Sequence, residues 1–286
     1  YKVFIQPLEH QIAWLYLLIG FKHLFQIGDN RMRLLSAISI ILFLSSINAS
    51  KIEFDRYTID DGLSQNTVYK VFQDSRGYIW LGTQGGLDRF NGYEFKHYEH
   101  ESNDSTSIVN GWIRAINEDE DGLLWLGTVG GNLGWFDPYD EIGGEIDLFA
   151  DHPNFDRPGY IYDILFHGDY IFLTTLGSGL CRYDRKDGST LWYSSDSTSK
   201  HYIKDRVFTN VYSIDEDKIL LGDRSIIILN TETNEHVEPY NELIEKEIGV
   251  PFDSIKVSSI TQTNDRKILI GTSVSYTHLT LPTTRG

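Results

Sequence analysis

Residues 73–90 read QDSRGYIWLGTQGGLDRF, and residues 118–136 restate the same plan as EDEDGLLWLGTVGGNLGWF. A catalytic signature is needed once, whereas a structural unit is written many times, so this repetition decides the fold. With the glycine of Trp-Leu-Gly-Thr as ruler, copies fall at Gly82, Gly127, Thr174, Gly222 and Gly271, spaced by 45, 47, 48 and 49 residues. Each anchor closes a short apolar run, such as Tyr78-Ile79-Trp80-Leu81 or Tyr170-Ile171-Phe172-Leu173. Upstream lies another run of β type, as in Val68-Tyr69-Lys70-Val71-Phe72, and downstream come two more, as in Leu87-Asp88-Arg89-Phe90 and Tyr93-Glu94-Phe95-Lys96. Four short strands rich in aromatic and β-branched residues, with turns between them, make up each repeat.

Four strands in 45–49 residues is the size of one β-propeller blade. The fold class expected is therefore all-β: a β-propeller of four-stranded blades, incomplete, with four repeats and part of a fifth forming an open arc over residues 51–273. In Asp74-Ser75-Arg76-Gly77 the first and fourth residues suit a type I turn. Asn91-Gly92 signals a two-residue hairpin between third and fourth strands. Trp80 and Trp125 are placed to fill the space between neighbouring blades. The third repeat replaces Trp-Leu-Gly-Thr by Phe-Leu-Thr-Thr, and the fourth lacks both the turn glycine and the Gly-Gly pair after Asp223.

The chain ends read differently. Met32 is the single methionine, so residues 1–31 read as upstream sequence. From Met32 the stretch MRLLSAISIILFLSSINAS gives a basic start, an apolar core and a small-residue end at Ala49, the form of a secretory signal peptide over 32–50. An uncleaved membrane anchor would need a longer apolar core. Residues 274–286, VSYTHLTLPTTRG, break off the fifth repeat and read as an artefactual tail similar to a translated sequencing adapter.

The chain has 25 basic and 41 acidic residues, a net charge of −16, which argues against nucleic acid or anionic lipid as partner. One cysteine, Cys181, permits no internal disulfide, and its place in a strand suits a buried small hydrophobe.

The loop Gly62-Leu63-Ser64-Gln65-Asn66-Thr67-Val68, followed by Asp74-x-x-Gly77-x-Ile79-Trp80-Leu81-Gly82-Thr83 and then Gly86-Leu87-Asp88-Arg89-Phe90-Asn91-Gly92, closely resembles the two-component regulator propeller repeat. The resemblance runs over residues 54–273. It implies the periplasmic sensor region of a bacterial membrane receptor, with a small β-sandwich, a transmembrane helix and a cytoplasmic output beyond it. That output is a histidine kinase in most of the family and a diguanylate cyclase in some. Catalysis would belong to that output and not to this region, and homodimerisation would belong to the full-length receptor. No cofactor is expected.

Rival chemistries fare worse. Sialidase-type boxes place Asp and Gly one residue closer than Asp74 and Gly77. Asn117-Glu118-Asp119-Glu120-Asp121-Gly122 imitates half a calcium loop, but its twelfth position is Thr128 and a strand follows, so a solvated hairpin turn is expected. His97 and His100 lack a third metal ligand. The glycine runs at 127–131 and 177–179 open no helix, and Ser197-Thr198-Ser199-Lys200 stands alone. No catalytic or metal set survives.

If each first strand lines the channel, the segments entering those strands share one face with the loops between second and third strands. The candidate ligand-binding residues on that face are Gln65, Asn66, Gln84, Asn110, Trp112, Arg114, Tyr160, Tyr162, Asn210 and Tyr212. Aromatic faces and amide side chains suit an oligosaccharide or another small polar ligand, stacking its C–H face and bonding its hydroxyls. The alternative from a different functional class is a scaffold for protein docking or receptor dimerisation without a small ligand.

Overall fold

The computed structural model describes residues 55–150, 157–238, 256–263 and 268–273. The upstream residues 1–31, the signal peptide expected at 32–50 and the tail at 274–286 lie outside the described residues. Contacts divide the chain after Arg56, and the elements that follow belong to the unit beginning at Tyr57.

Four antiparallel four-stranded meanders and a two-stranded fifth follow one another, an incomplete propeller of four-stranded blades. Blade one holds β1 (Val68–Gln73), β2 (Ile79–Thr83), β3 (Leu87–Phe90) and β4 (Phe95–Tyr98). Blade two holds β5 (Ile113–Glu118), β6 (Leu124–Thr128), β7 (Leu133–Asp137) and β8 (Ile142–Ile146). Blade three holds β9 (Ile161–His167), β10 (Tyr170–Thr175), β11 (Leu180–Asp184) and β12 (Thr190–Tyr193). Blade four holds β13 (Asn210–Asp215), β14 (Lys218–Gly222), β15 (Ile226–Asn230) and β16 (His236–Val237), and β17 (Val257–Gln262) pairs with β18 (Ile268–Thr272) in the fifth. Among the described residues the only helical segment is one 3₁₀ turn, Ile59–Asp61, and no helix is long and apolar enough to cross a membrane.

The acidic turn and the tryptophan of the repeat prove to be one device. Gly77 N donates to Asp74 O at 3.0 Å, closing the turn. The Asp74 carboxylate accepts from Arg76 N at 3.0 Å, from Tyr78 N at 2.8 Å and from Trp80 Nε1 at 2.8 Å. Blade two repeats this atom for atom, with Asp119 accepting from Asp121 N, Leu123 N and Trp125 Nε1. The hairpin turn expected at 117–122 is present, with Glu120 and Asp121 exposed, but its Asp119 is not solvated: like Asp74 it is buried, because each must reach under the hairpin to an indole N–H that also has to be satisfied. Blades three and four put Phe172 and Leu220 in the tryptophan position, where no N–H needs a partner. Their β9–β10 and β13–β14 hairpins are correspondingly tighter, with His167 opposite Tyr170 and Asp215 opposite Lys218.

The Asn91-Gly92 turn lies where the sequence places it, but its type differs. Phe90 pairs with Phe95, so four residues, 91–94, make the connection rather than two. Asn91 keeps negative φ, which a type I′ turn forbids, and uses its side chain instead, Oδ1 accepting from Tyr93 N and Glu94 N, both at 2.9 Å.

The core is a series of layers between blades. Trp80 is fully buried with Ile113, Ile116 and Phe136 between blades one and two. Trp125 packs with Ile161, Ile164 and Leu173 between two and three, and Phe172 with Val211, Ile219 and Leu221 between three and four. Cys181 is fully buried in the second layer, and burial pushes its thiol well above the ordinary cysteine range.

The anchor glycine has its own reason. A Cβ on Gly82 would stand 2.8 Å from Ile113 O of the next blade, and one on Gly127 would stand 2.6 Å from Ile161 Cγ2. Blade three carries Thr174 at this place, and its neighbour β13 is the one inner strand without a bulge there. Thr174 Oγ1 is buried with no hydrogen-bond partner among the described residues. Replacing it by the isosteric valine should be neutral or stabilise the fold by up to about 1 kcal/mol, read from urea unfolding, since a buried hydroxyl without a partner carries a desolvation cost.

Candidate functional site

From blade two to the fifth, consecutive blades are laced together along one face. Gly130 N donates to Gly159 O at 2.8 Å, Gly177 N to Arg206 O at 3.0 Å, and Val257 N to Asp223 O at 2.7 Å. In each case a loop between second and third strands meets the segment entering the next inner strand. Loops and entry segments therefore share a face, as the sequence predicts.

On this face the inner strands do something that periodicity does not show. In β1, β5, β9 and β17 the register slips by one residue at the same level: Val68 pairs with Thr83 but Lys70 with Gly82, and the slip recurs at 113/115, 161/163 and 257/259. The residues left out of the ladder are Tyr69, Arg114, Tyr162 and Ser258. A bulge re-aims its extra side chain, and here the first three converge. The Arg114 guanidinium lies 4.5 Å from the Tyr69 ring centroid, 4.6 Å from that of Tyr160 and 5.1 Å from that of Tyr162. Tyr160 and Tyr162 are themselves 5.8 Å apart and tilted.

Three tyrosine faces supply cation–π attraction to one half-buried guanidinium. No hydrogen-bond acceptor or carboxylate among the described residues pairs with Arg114. Burial raises the Tyr162 phenol above its ordinary range against the opposing pull of Arg114, so at neutral pH it keeps its proton and can donate. One layer along the strands, Lys70 Nζ reaches Asp163 Oδ1 at 3.0 Å, joining blade one to blade three. Asp163 Oδ2 also accepts from Val211 N of blade four at 3.3 Å.

The predicted residues divide into three groups. Arg114, Tyr160 and Tyr162 come together. Trp112 stands nearby in sequence, 36 % exposed, its backbone carbonyl accepting from Val129 N at 3.2 Å. Tyr212 is half-buried on β13, and Gln84 is half-buried with its backbone N donating to Thr67 O. The remaining amides serve the fold. Gln65 Oε1 accepts from Asn66 N, Asn66 Oδ1 from Ile59 N, and Asn110 Oδ1 from Trp112 N, while Asn210 Nδ2 donates to Thr209 Oγ1.

Sequence reasoning missed Tyr69, Lys70 and Asp163. Aligning the repeats on the anchor residue, with the tighter hairpin of blade three allowed for, would have brought Tyr69 level with Arg114 and Tyr162. His97 is engaged with Asp88 and His100 Nδ1 with Ile108 O at 2.8 Å, and no group of three metal-ligating side chains occurs among the described residues.

Residues 62–85 and 107–130 match the family model described as two component regulator propeller. Over 82 residues the chain is 43% identical to Histidine kinase P4 of Formosa agariphila, a match covering 27% of this chain and 6% of that protein. A crystal structure of the extracellular domain assigned to the hybrid two component system BT3049 of B. thetaiotaomicron superposes with a TM-score of 0.63 at 20% identity, covering 77% of this chain and 29% of that one. At that identity the likeness bears on the fold alone, and the chain spans only a small part of either relative.

Proposed function

From a chain that carries two-component regulator propeller repeats, we propose a ligand-sensing role. The region is the periplasmic portion of a bacterial signalling receptor. It takes an oligosaccharide or similar small polar ligand on the bulged face and passes the event to a cytoplasmic histidine kinase. The observation that carries this reading is the Arg114 guanidinium, ringed by three tyrosines and without a hydrogen-bonding partner among the described residues. A guanidinium normally satisfies its donors within the protein, so one held rigid by aromatic faces with donors free is prepared for an external acceptor. Sugars offer that acceptor in their hydroxyls and ring oxygen, and offer tyrosine their C–H faces.

The test is a glycan-array screen of the exported receptor region followed by calorimetry. Arg114→Ala should weaken the ligand found by at least about tenfold, the loss of one charge-assisted hydrogen-bonding group, while leaving the melting temperature close to the parent's. Equal binding by parent and variant would remove the face from consideration. Absence of any glycan ligand, with specific self-association of the same region, would favour the docking scaffold instead.

A further inference from the structure

A cleft of about 490 Å³ opens beside Tyr162 on the same face, between blades three, four and five. It brings together four exposed cationic side chains, Lys204, Arg206, Arg224 and Lys256. In a chain of net charge −16 such a grouping is unexpected. Of the two carboxylates in the lining, Asp205 is turned to Ser225 and Asp223 pairs with one of the four cations, Lys256. Asp205 accepts from Ser225 Oγ, and Asp223, 4 % exposed, accepts from Thr209 Oγ1 at 3.3 Å and faces Lys256 Nζ at 3.8 Å. Glu238, outside the lining, stands 3.9 Å from Lys204. Among the described residues Arg206 gives only its side-chain Nε, to Gly177 O at 3.0 Å. Arg224 has no hydrogen-bonding or ionic partner among the described residues.

The repeat shows how this cleft arose. Where blade two spends residues 128–132 between the anchor glycine and its third strand, blade four spends only 223–225. The Gly-Gly turn is absent, and Arg224 sits at the tip of the shortened loop. The shortened loop is thus the one that borders the cleft and places over it a cation with no partner among the described residues.

We infer that this cleft is an anion subsite, holding a carboxylate or sulfate carried by an acidic sugar whose neighbouring residue lies against Tyr162 and Arg114. The assignment rests on the sugar-sensing reading of the face. Guanidinium groups of this kind grip such oxyanions in bidentate fashion, and two lysines add point charge.

The experiment compares oligogalacturonate trimers, matched neutral galactose trimers and inorganic sulfate by calorimetry on the exported receptor region, with parent, Arg224→Ala, Lys204→Ala and Arg114→Ala. Arg224 and Lys204 are exposed, so both variants should fold as the parent does, checked by melting temperature. The expected result is that the acidic trimer binds at least about tenfold more tightly than the neutral one. That advantage should shrink by roughly fivefold or more in each cleft variant and at high salt. Sulfate should compete with the acidic trimer alone. Neutral trimers bound as tightly as acidic ones, and dependent on Arg114, would overturn the anion subsite and leave the sugar-sensing reading standing. Acidic trimers dependent on Arg224 but indifferent to Arg114→Ala would uphold the subsite and overturn the Arg114-centred reading. No binding of either trimer would overturn the subsite.

Discussion

Trp80→Ala should lower unfolding free energy by about 3–5 kcal/mol, the range for truncating a large buried aromatic. The indole is fully buried, its centroid lies 5.8 Å from that of Tyr98 and 6.0 Å from that of Phe136, and its N–H satisfies a buried carboxylate. Truncation removes all three contributions and leaves a cavity between blades one and two. Trp125→Ala should cost less, because Trp125 retains some exposure. Denaturant melts of both variants decide the matter. A Trp80→Ala protein that unfolds with the parent's midpoint would refute the inter-blade role. Ligand affinity, measured below the melting range, should be unaffected, because the bulged face lies beyond the hairpin that Trp80 anchors.

Gly82→Ala should destabilise by about 1–3 kcal/mol, an unusual penalty for adding one methyl group. The new Cβ would fall 2.8 Å from a backbone oxygen of Ile113 and 3.1 Å from its Cγ2. Backbone cannot swing aside as a flexible side chain can, so blade two would have to move bodily away from blade one. Thermal melts of Gly82→Ala beside a Gly111→Ala control, whose added Cβ meets nothing within 4 Å, would separate steric cost from any general effect of replacing glycine. Equal melting of the two variants would show that the blades are not held as closely as the structure has them.

Much of this architecture could be read in advance. The spacing of Gly82, Gly127, Thr174, Gly222 and Gly271 marked out the blades, and the aspartate–glycine turns fell where local chemistry put them. The function of Asp74 was half legible: its turn role follows from type I preference, but its bond to Trp80 Nε1 depends on where the hairpin folds back. The bulges were not legible at all. A register slip is a relation between two strands, and neither Tyr69 nor Arg114 carries a local mark of it. That is why Tyr69 escaped the predicted site while Asn66 and Asn210, polar and on the correct face, were included although their amides serve nearby backbone and side chains. The cleft at Arg224 was visible only as a missing Gly-Gly pair, a departure whose meaning depends on loops from three blades.

The bond between turn aspartate and anchor indole also bears on how such a protein can change over generations. Losing the tryptophan alone deprives a buried carboxylate of a donor, and losing the aspartate alone strands a buried N–H. Either single step is penalised, so the pair is a two-lock barrier to drift. Blades three and four lie on the other side of it, having Phe172 and Leu220 with tight two-residue hairpins and no such aspartate. The four repeats are therefore two compatible solutions carried in one chain. Grafting the blade-three hairpin and its phenylalanine together into blade one should be tolerated far better than either half, whereas blade-by-blade recombination that splits the pair should be purged.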